Sequence, residues 1–193
     1  MKTKHAFIVA GLFLIFLSGC IPSIHPLYTE EDIVFKTELL GSWKDGDSKW
    51  VFAQRGENGY LLKYYEKENY FMDTTTFSDF EVTLLKLGKN YYLDFYPGDN
   101  DQLDFSSLLI STLLPVHIFA KVDFVDEGVE ISFFDRDWLE ELLEENRIRI
   151  AHEKTPEYFV LTASTDELQK FVIKYSDVED AFFDPSLLER INE

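Results

Sequence analysis

Cysteine is the scarcest chemistry in this chain, a single residue, Cys20, among 193. One thiol forms no intrachain disulfide and no thiolate metal cluster, so the fold must stand on packing. Basic residues are also few, 18 against 36 acidic ones, for a net charge of −18. Such a field repels nucleic-acid phosphates and anionic headgroups, which excludes nucleic acid as a partner and a basic patch as a membrane tie. Catalytic signatures are missing: there is no Gly-x-Ser-x-Gly, no Ser-x-x-Lys and no phosphate-gripping Gly-x-x-x-x-Gly-Lys. His25, His117 and His152 are scattered without ligand spacing, so no metal, no cofactor and no enzymatic activity is expected.

What is present begins at the amino terminus. Lys2 and Lys4 precede an apolar run from Ala6 to Leu17, which ends in Leu17-Ser18-Gly19-Cys20. The run is shorter than the roughly 20 residues a spanning helix needs, and Pro22 and Pro26 cannot continue a helix. The pattern of basic start, apolar stretch and small residues is that of an export signal. Its end resembles the lipobox of bacterial lipoproteins, Leu-x-Gly-Cys. That resemblance implies attachment of diacylglycerol, with acyl chains of the palmitate kind, to the Cys20 thiol, followed by cleavage between Gly19 and Cys20. It implies a lipid-anchored protein of the cell envelope, and Ile21 after the cysteine goes with the outer membrane rather than the inner one. Losing Lys2 and Lys4 would leave 16 bases against 36 acids, a net of −20.

Residues 1–19 are thus read as a signal peptide, 20–38 as a lipidated start and tether, and 39–193 as one globular domain. Aromatic residues are 16% of the chain, with 18 Phe and 10 Tyr, which suits a β-rich core. Short alternating segments pair across turns: Ser48–Gln54 with Tyr60–Glu66, Phe80–Leu87 with Asn90–Tyr96, and His117–Val125 with Val129–Phe134. The expected fold is mainly β, an antiparallel meander closing into a barrel or sandwich, with accessory helices packed against it. Alternation puts Ile118, Ala120, Val122 and Phe124 on one face, opposite His117, Lys121 and Asp123. In the second hairpin, Tyr92, Asp94 and Tyr96 share the wetter face, so Tyr92, Tyr96 and Tyr64 are candidate cavity-lining residues.

Three helices are expected after the hairpins. Asp137 with Glu140 reads as a capping box for one, Ser164 with Glu167 for a second, and Asp184-Pro185 opens a short third with Leu187, Leu188 and Ile191 inward. The apolar run LDFSSLLISTLLP is expected to be a short helix or a loop over one opening of the sheet. Asp99, Asn100, Asp101 and Asp104 crowd a turn, but without the glycine and distal glutamate of a calcium loop they read as solvated.

Leu40-Gly41-Ser42-Trp43 leads into the first strand and resembles the Gly-x-Trp opening of lipocalin-like barrels, in which the tryptophan crosses the closed end. The segment YFVLTAS running into the Ser164-capped helix resembles the late strand and helix of that family. No Thr-Asp-Tyr turn is present, and no arginine lies in the strand before the helix to cover Trp43. The resemblance implies a structural role for Gly41 and Trp43 and a barrel that holds an apolar small molecule. The residues leave open a second role, a structural or assembly lipoprotein that meets an envelope protein through its outer surface.

Overall fold

A computed structural model of the chain describes residues 19–69, 74–98, 106–156 and 158–191. Eight antiparallel strands close a barrel. In chain order they are β2 (Gly41–Asp45), β3 (Ser48–Arg55), β4 (Gly59–Asn69), β5 (Thr74–Leu87), β6 (Asn90–Pro97), β7 (His117–Val125), β8 (Gly128–Phe133) and β11 (Ser186–Arg190). The first seven form a meander, and β11 returns to lie between β8 and β2. Three short strands extend the sheet outside the barrel: β1 (Pro22–Ser23), β9 (His152–Lys154) and β10 (Phe159–Leu161). Helices α1 (Arg136–Glu144) and α2 (Thr165–Tyr175) lie between β8 and β11 in sequence. The hairpins match the alternation in the sequence. Two expectations are corrected: Leu187 and Leu188 lie on the closing strand β11 rather than on a helix, and YFVLTAS supplies β10 outside the barrel.

The five residues Ser186–Arg190, with two adjacent leucines between polar ends, satisfy either a short helix or a strand, and only pairing decides. Here β8 and β2 offer two open edges, and β11 satisfies both. Gly128 makes the close approach possible, since a Cβ there would lie 2.1 Å from the Leu188 carbonyl oxygen.

The barrel wall is apolar on both sides where β5, β6 and β7 meet. Leu84, Leu93 and Ala120 fill the interior with Trp43, Phe52, Val122, Ile131 and Leu188. Their outward neighbours Leu85, Tyr92 and Phe119 belong to a second core with Leu139, Leu168, Phe171 and Val172 of the two helices. Tyr92 is therefore not on a wetted face. Helix α1 is capped by Asp135, whose carboxylate accepts from the amides of Asp137 and Trp138, rather than by Asp137. It ends with Asn146 at φ 57°, as the amides of Asn146 and Arg147 donate to Leu143 and Leu142 carbonyls. Helix α2 opens as its sequence implies, with Glu167 accepting from the Ser164 amide at 3.0 Å.

Residues 20–38 are packed into the body instead of forming a tether. Ile21 and Leu27 are buried, the Leu27 amide donates to Asp94 at 2.7 Å, and α2 returns bonds from Thr165 to the Pro26 carbonyl and from Gln169 to the Leu27 carbonyl. Further on, Val34 and Lys86 amides join this segment to β5 beyond the end of β4. The prolines and polar residues conceal a strap whose few apolar side chains each find a slot. Among the described residues, no helix is long and apolar enough to cross a membrane.

Candidate functional site

Three places concentrate polar or apolar chemistry: the two ends of the barrel and a cleft on its outer wall. At one end the barrel is plugged. The 3₁₀ turn Thr37–Leu39 lays Leu39 into the opening, and the Trp43 indole N–H donates to the Leu39 carbonyl at 2.9 Å. Arg190, from β11, stacks its guanidinium 4.2 Å from the Trp43 ring centroid and donates to the carbonyls of Glu38 and Leu40. Gly41 has φ 120°, and a Cβ there would meet the Arg190 guanidinium at 2.8 Å, so both conformation and space demand glycine. The cation over Trp43 thus comes from the last strand, after the helices. A helix over Leu187 to Ile191 would not carry Arg190 to this place.

The other end is the mouth. Inward side chains of Trp50, Leu62, Tyr64, Phe80, Phe95 and Phe133 line a cup of about 210 Å³, with Cys20 and Ile118 on its rim. The rings meet edge to face or tilted: Trp50 with Tyr64 at 5.0 Å, Trp50 with Phe95 at 6.2 Å, Phe95 with Phe133 at 5.8 Å. Cys20 reaches this rim because β1 pairs Pro22 with Ile118 and Ser23 with His117, continuing the edge of β7 beyond the end of β8. Burial pushes the Cys20 thiol and the Tyr64 phenol above their ordinary values. Of the expected cavity-lining residues, Tyr64 lines the cup, Tyr96 lines a cleft on the outer wall rather than the barrel interior, and Tyr92 is buried beneath the helices. The alternation that turns Tyr91, Leu93 and Phe95 inward forces Tyr92 and Tyr96 outward.

The outer cleft, about 380 Å³, lies between the strap and the wall of β4, β5 and β6. Asp94 stands at its base, 1% exposed, with one carboxylate oxygen 2.7 Å from His117 Nδ1 and the other accepting the Leu27 amide. The Tyr96 ring lies 4.6 Å from the imidazole, and Arg55 pairs with Glu81 along the same cleft. Sequence separation conceals the pair: the register Phe95 to Ile118 makes Asp94 and His117 neighbours across a connection of about 20 residues. An imidazole held by a buried carboxylate is half of a nucleophile-activating arrangement. The hydroxyls along the cleft belong to Thr83 and to tyrosines, and no serine or cysteine lines it. Asp94 is instead fully engaged in tying the strap to β7.

His152 lies elsewhere, stacked on Phe159 with its Nδ1 2.9 Å from the Ile150 carbonyl. Among the described residues, no three His, Cys, Asp or Glu side chains gather as a metal site. Asp99, Asn100, Asp101 and Asp104 lie outside the described residues, as does the signal sequence through Ser18. Against known proteins, no family model, no curated protein and no solved structure matches the chain.

Proposed function

We propose that this chain is a lipid-anchored protein of the bacterial envelope, held by acyl chains on Cys20, whose barrel is a filled, non-catalytic scaffold that engages an envelope partner through its outside. The observation that carries this reading is the packed interior. Leu84, Leu93, Ala120, Val122 and Leu188 have no exposed surface, the apolar space at the mouth is a cup of about 210 Å³, and the pocket of about 350 Å³ at the plugged end is lined by charged Lys36, Glu38, Asp126, Glu127 and Arg190. Pockets for small molecules begin at about 300 Å³. A barrel carrier for an apolar ligand, the role that the Gly-x-Trp resemblance implies, therefore ranks second.

The anchor reading draws its support from the lipobox-like end of the signal and from the rim position of Cys20. Acyl chains contribute about 0.8 kcal/mol for each buried methylene, so two or more hold a protein firmly to a bilayer. The acidic body then stays soluble above the surface while the strap joins it to the anchor without slack.

Two measurements test the reading. Wild-type protein is expected in the detergent phase on partitioning and Cys20→Ser in the aqueous phase; wild type in the aqueous phase overturns the anchor. Native mass spectrometry of the full chain in detergent is expected to show the lipidated mass alone, with partners captured by cross-linking in the envelope. A recurrent extra mass of a small apolar molecule overturns the scaffold in favour of the carrier.

A further inference from the structure

The segment 106–116 leads into β7 at the mouth; it is uncharged and follows Asp99, Asp101 and Asp104, which lie outside the described residues. It contains one helical turn, Ser107–Ile110, and presents Leu108, Leu109, Leu113 and Leu114 at 43 to 78% exposure. Phe77, on the neighbouring β5, is 40% exposed. No residue from Phe105 to Ala120 is charged, in a chain that is 28% charged.

We propose that this side of the mouth is a membrane-contact surface, on which the leucines of residues 106–116 enter the hydrocarbon edge of an uncharged lipid bilayer. Hydroxyls and amides resist transfer to hydrocarbon unless they are already bonded. Several of them are bonded here: Ser111 donates to the Leu108 carbonyl and the Thr112 hydroxyl to the Leu109 carbonyl, both at 2.7 Å, while Ser106 accepts from the Leu109 amide.

The chain outside the described residues ends at the same place. Its apolar run, Ala6 to Leu17, joins the body at Gly19 and Cys20, on the rim that Ile118 shares. Any membrane segment or acyl chain carried there leaves from the mouth. The surface is a poor protein interface, since it lacks the Trp, Tyr and Arg anchors that dominate such contacts and is built of leucine, which is under-represented among them. It has no cation to attract anionic lipid, and the acidic body repels it, so the bilayer it fits is zwitterionic. Asp45 and Asp47 of the β2–β3 turn stand at the same end and keep that part of the rim in water. The barrel therefore meets the surface tilted, with its β6–β7 side down.

This placement rests on the anchor proposed for Cys20, and the test separates the two. Full-length protein carrying Leu109→Cys or Leu113→Cys is labelled with a fluorophore and reconstituted in phosphatidylcholine vesicles. Glu127→Cys, in the β7–β8 turn at the plugged end, is the comparison. Expected are quenching of labels 109 and 113 by bromine-bearing lipid and a severalfold lower accessibility to aqueous iodide than at 127. Iodide accessibility equal to that at 127 on vesicle-bound protein overturns the contact surface, leaves the anchor standing and returns the leucines to a protein partner. If Cys20 of the wild type proves free to react with maleimide, the anchor falls alone where the protein still floats with the vesicles and the labels are shielded. Both fall where it does not float.

Discussion

The two ends of one barrel are closed by different means. At the plugged end, backbone carbonyls do the holding: Leu39 receives the Trp43 indole, Glu38 and Leu40 receive Arg190, and Tyr60 bonds both the amide and the carbonyl of Lys36. Lys36 in turn sets its ammonium over Tyr91 and Phe124. At the mouth, rings touch rings, and among the described residues Cys20 and Ile118 complete the lining of the cup. Polar ties fix a geometry, and the pocket of about 350 Å³ beside them is lined by charged groups such as Lys36, Glu38 and Arg190, whereas apolar contacts alone leave a surface that a second apolar body can extend. Stability belongs to the first end and association to the second.

The largest effect is expected from Trp43→Ala, which removes a buried ring together with its hydrogen bond and its stacked guanidinium. Loss of about 3–5 kcal/mol in urea unfolding is expected. Phe80→Ala at the half-open cup should cost about 1–2 kcal/mol, because part of that ring already faces empty space. Equal costs at the two positions would erase the contrast.

Next comes the strap that runs between the ends. Asp94→Ala leaves the Leu27 amide and His117 without their shared carboxylate in a buried place, at a cost of about 3 kcal/mol. Hydrogen exchange at the Leu27 amide should accelerate by more than global destabilisation explains. Unchanged exchange there would mean that α2 alone holds the strap.

Alkali probes the outer wall beneath the helices. Burial pushes the Tyr92 phenol up to about 12. The unfolded chain ionises this tyrosine near pH 10, so the folded state binds the extra proton and stability falls as pH rises from about 10 to 12. The expected fall is about 2–3 kcal/mol, and Tyr92→Phe should remove it from the pH profile of unfolding.

Strand positions were legible because alternation has a period of two and turns such as Gly56-Glu57-Asn58-Gly59 and Gly88-Lys89 are local. What local patterns do not carry is which edges meet. Leu187 and Leu188 read as helical because five residues after Asp184-Pro185 fit either period, and only the free edges of β8 and β2 decide for a strand. That strand carries Arg190, the cation over Trp43, so the two are concealed together. The Asp94–His117 pair was invisible for the same reason, since it depends on β6–β7 register across a long connection. Composition misleads over the strap: two prolines and many polar residues suggest a linker, yet Ile21 and Leu27 are buried and dock it.

The smallest effect on folding is expected where the largest effect on membrane contact is proposed. Leu113 and Leu114 are 55% and 66% exposed, so replacing each by serine removes little buried area. Each change should move the unfolding free energy of the detergent-solubilised chain by no more than about 0.5 kcal/mol. The same two changes remove apolar groups that a bilayer would accept, so they should reduce shielding of a label at position 109. A folding cost above about 2 kcal/mol for the pair would mean that these leucines already pack against the body in solution. The mouth would then be closed by its own loop, as firmly as the other end is closed by Leu39, and the asymmetry that makes one end a contact surface would disappear.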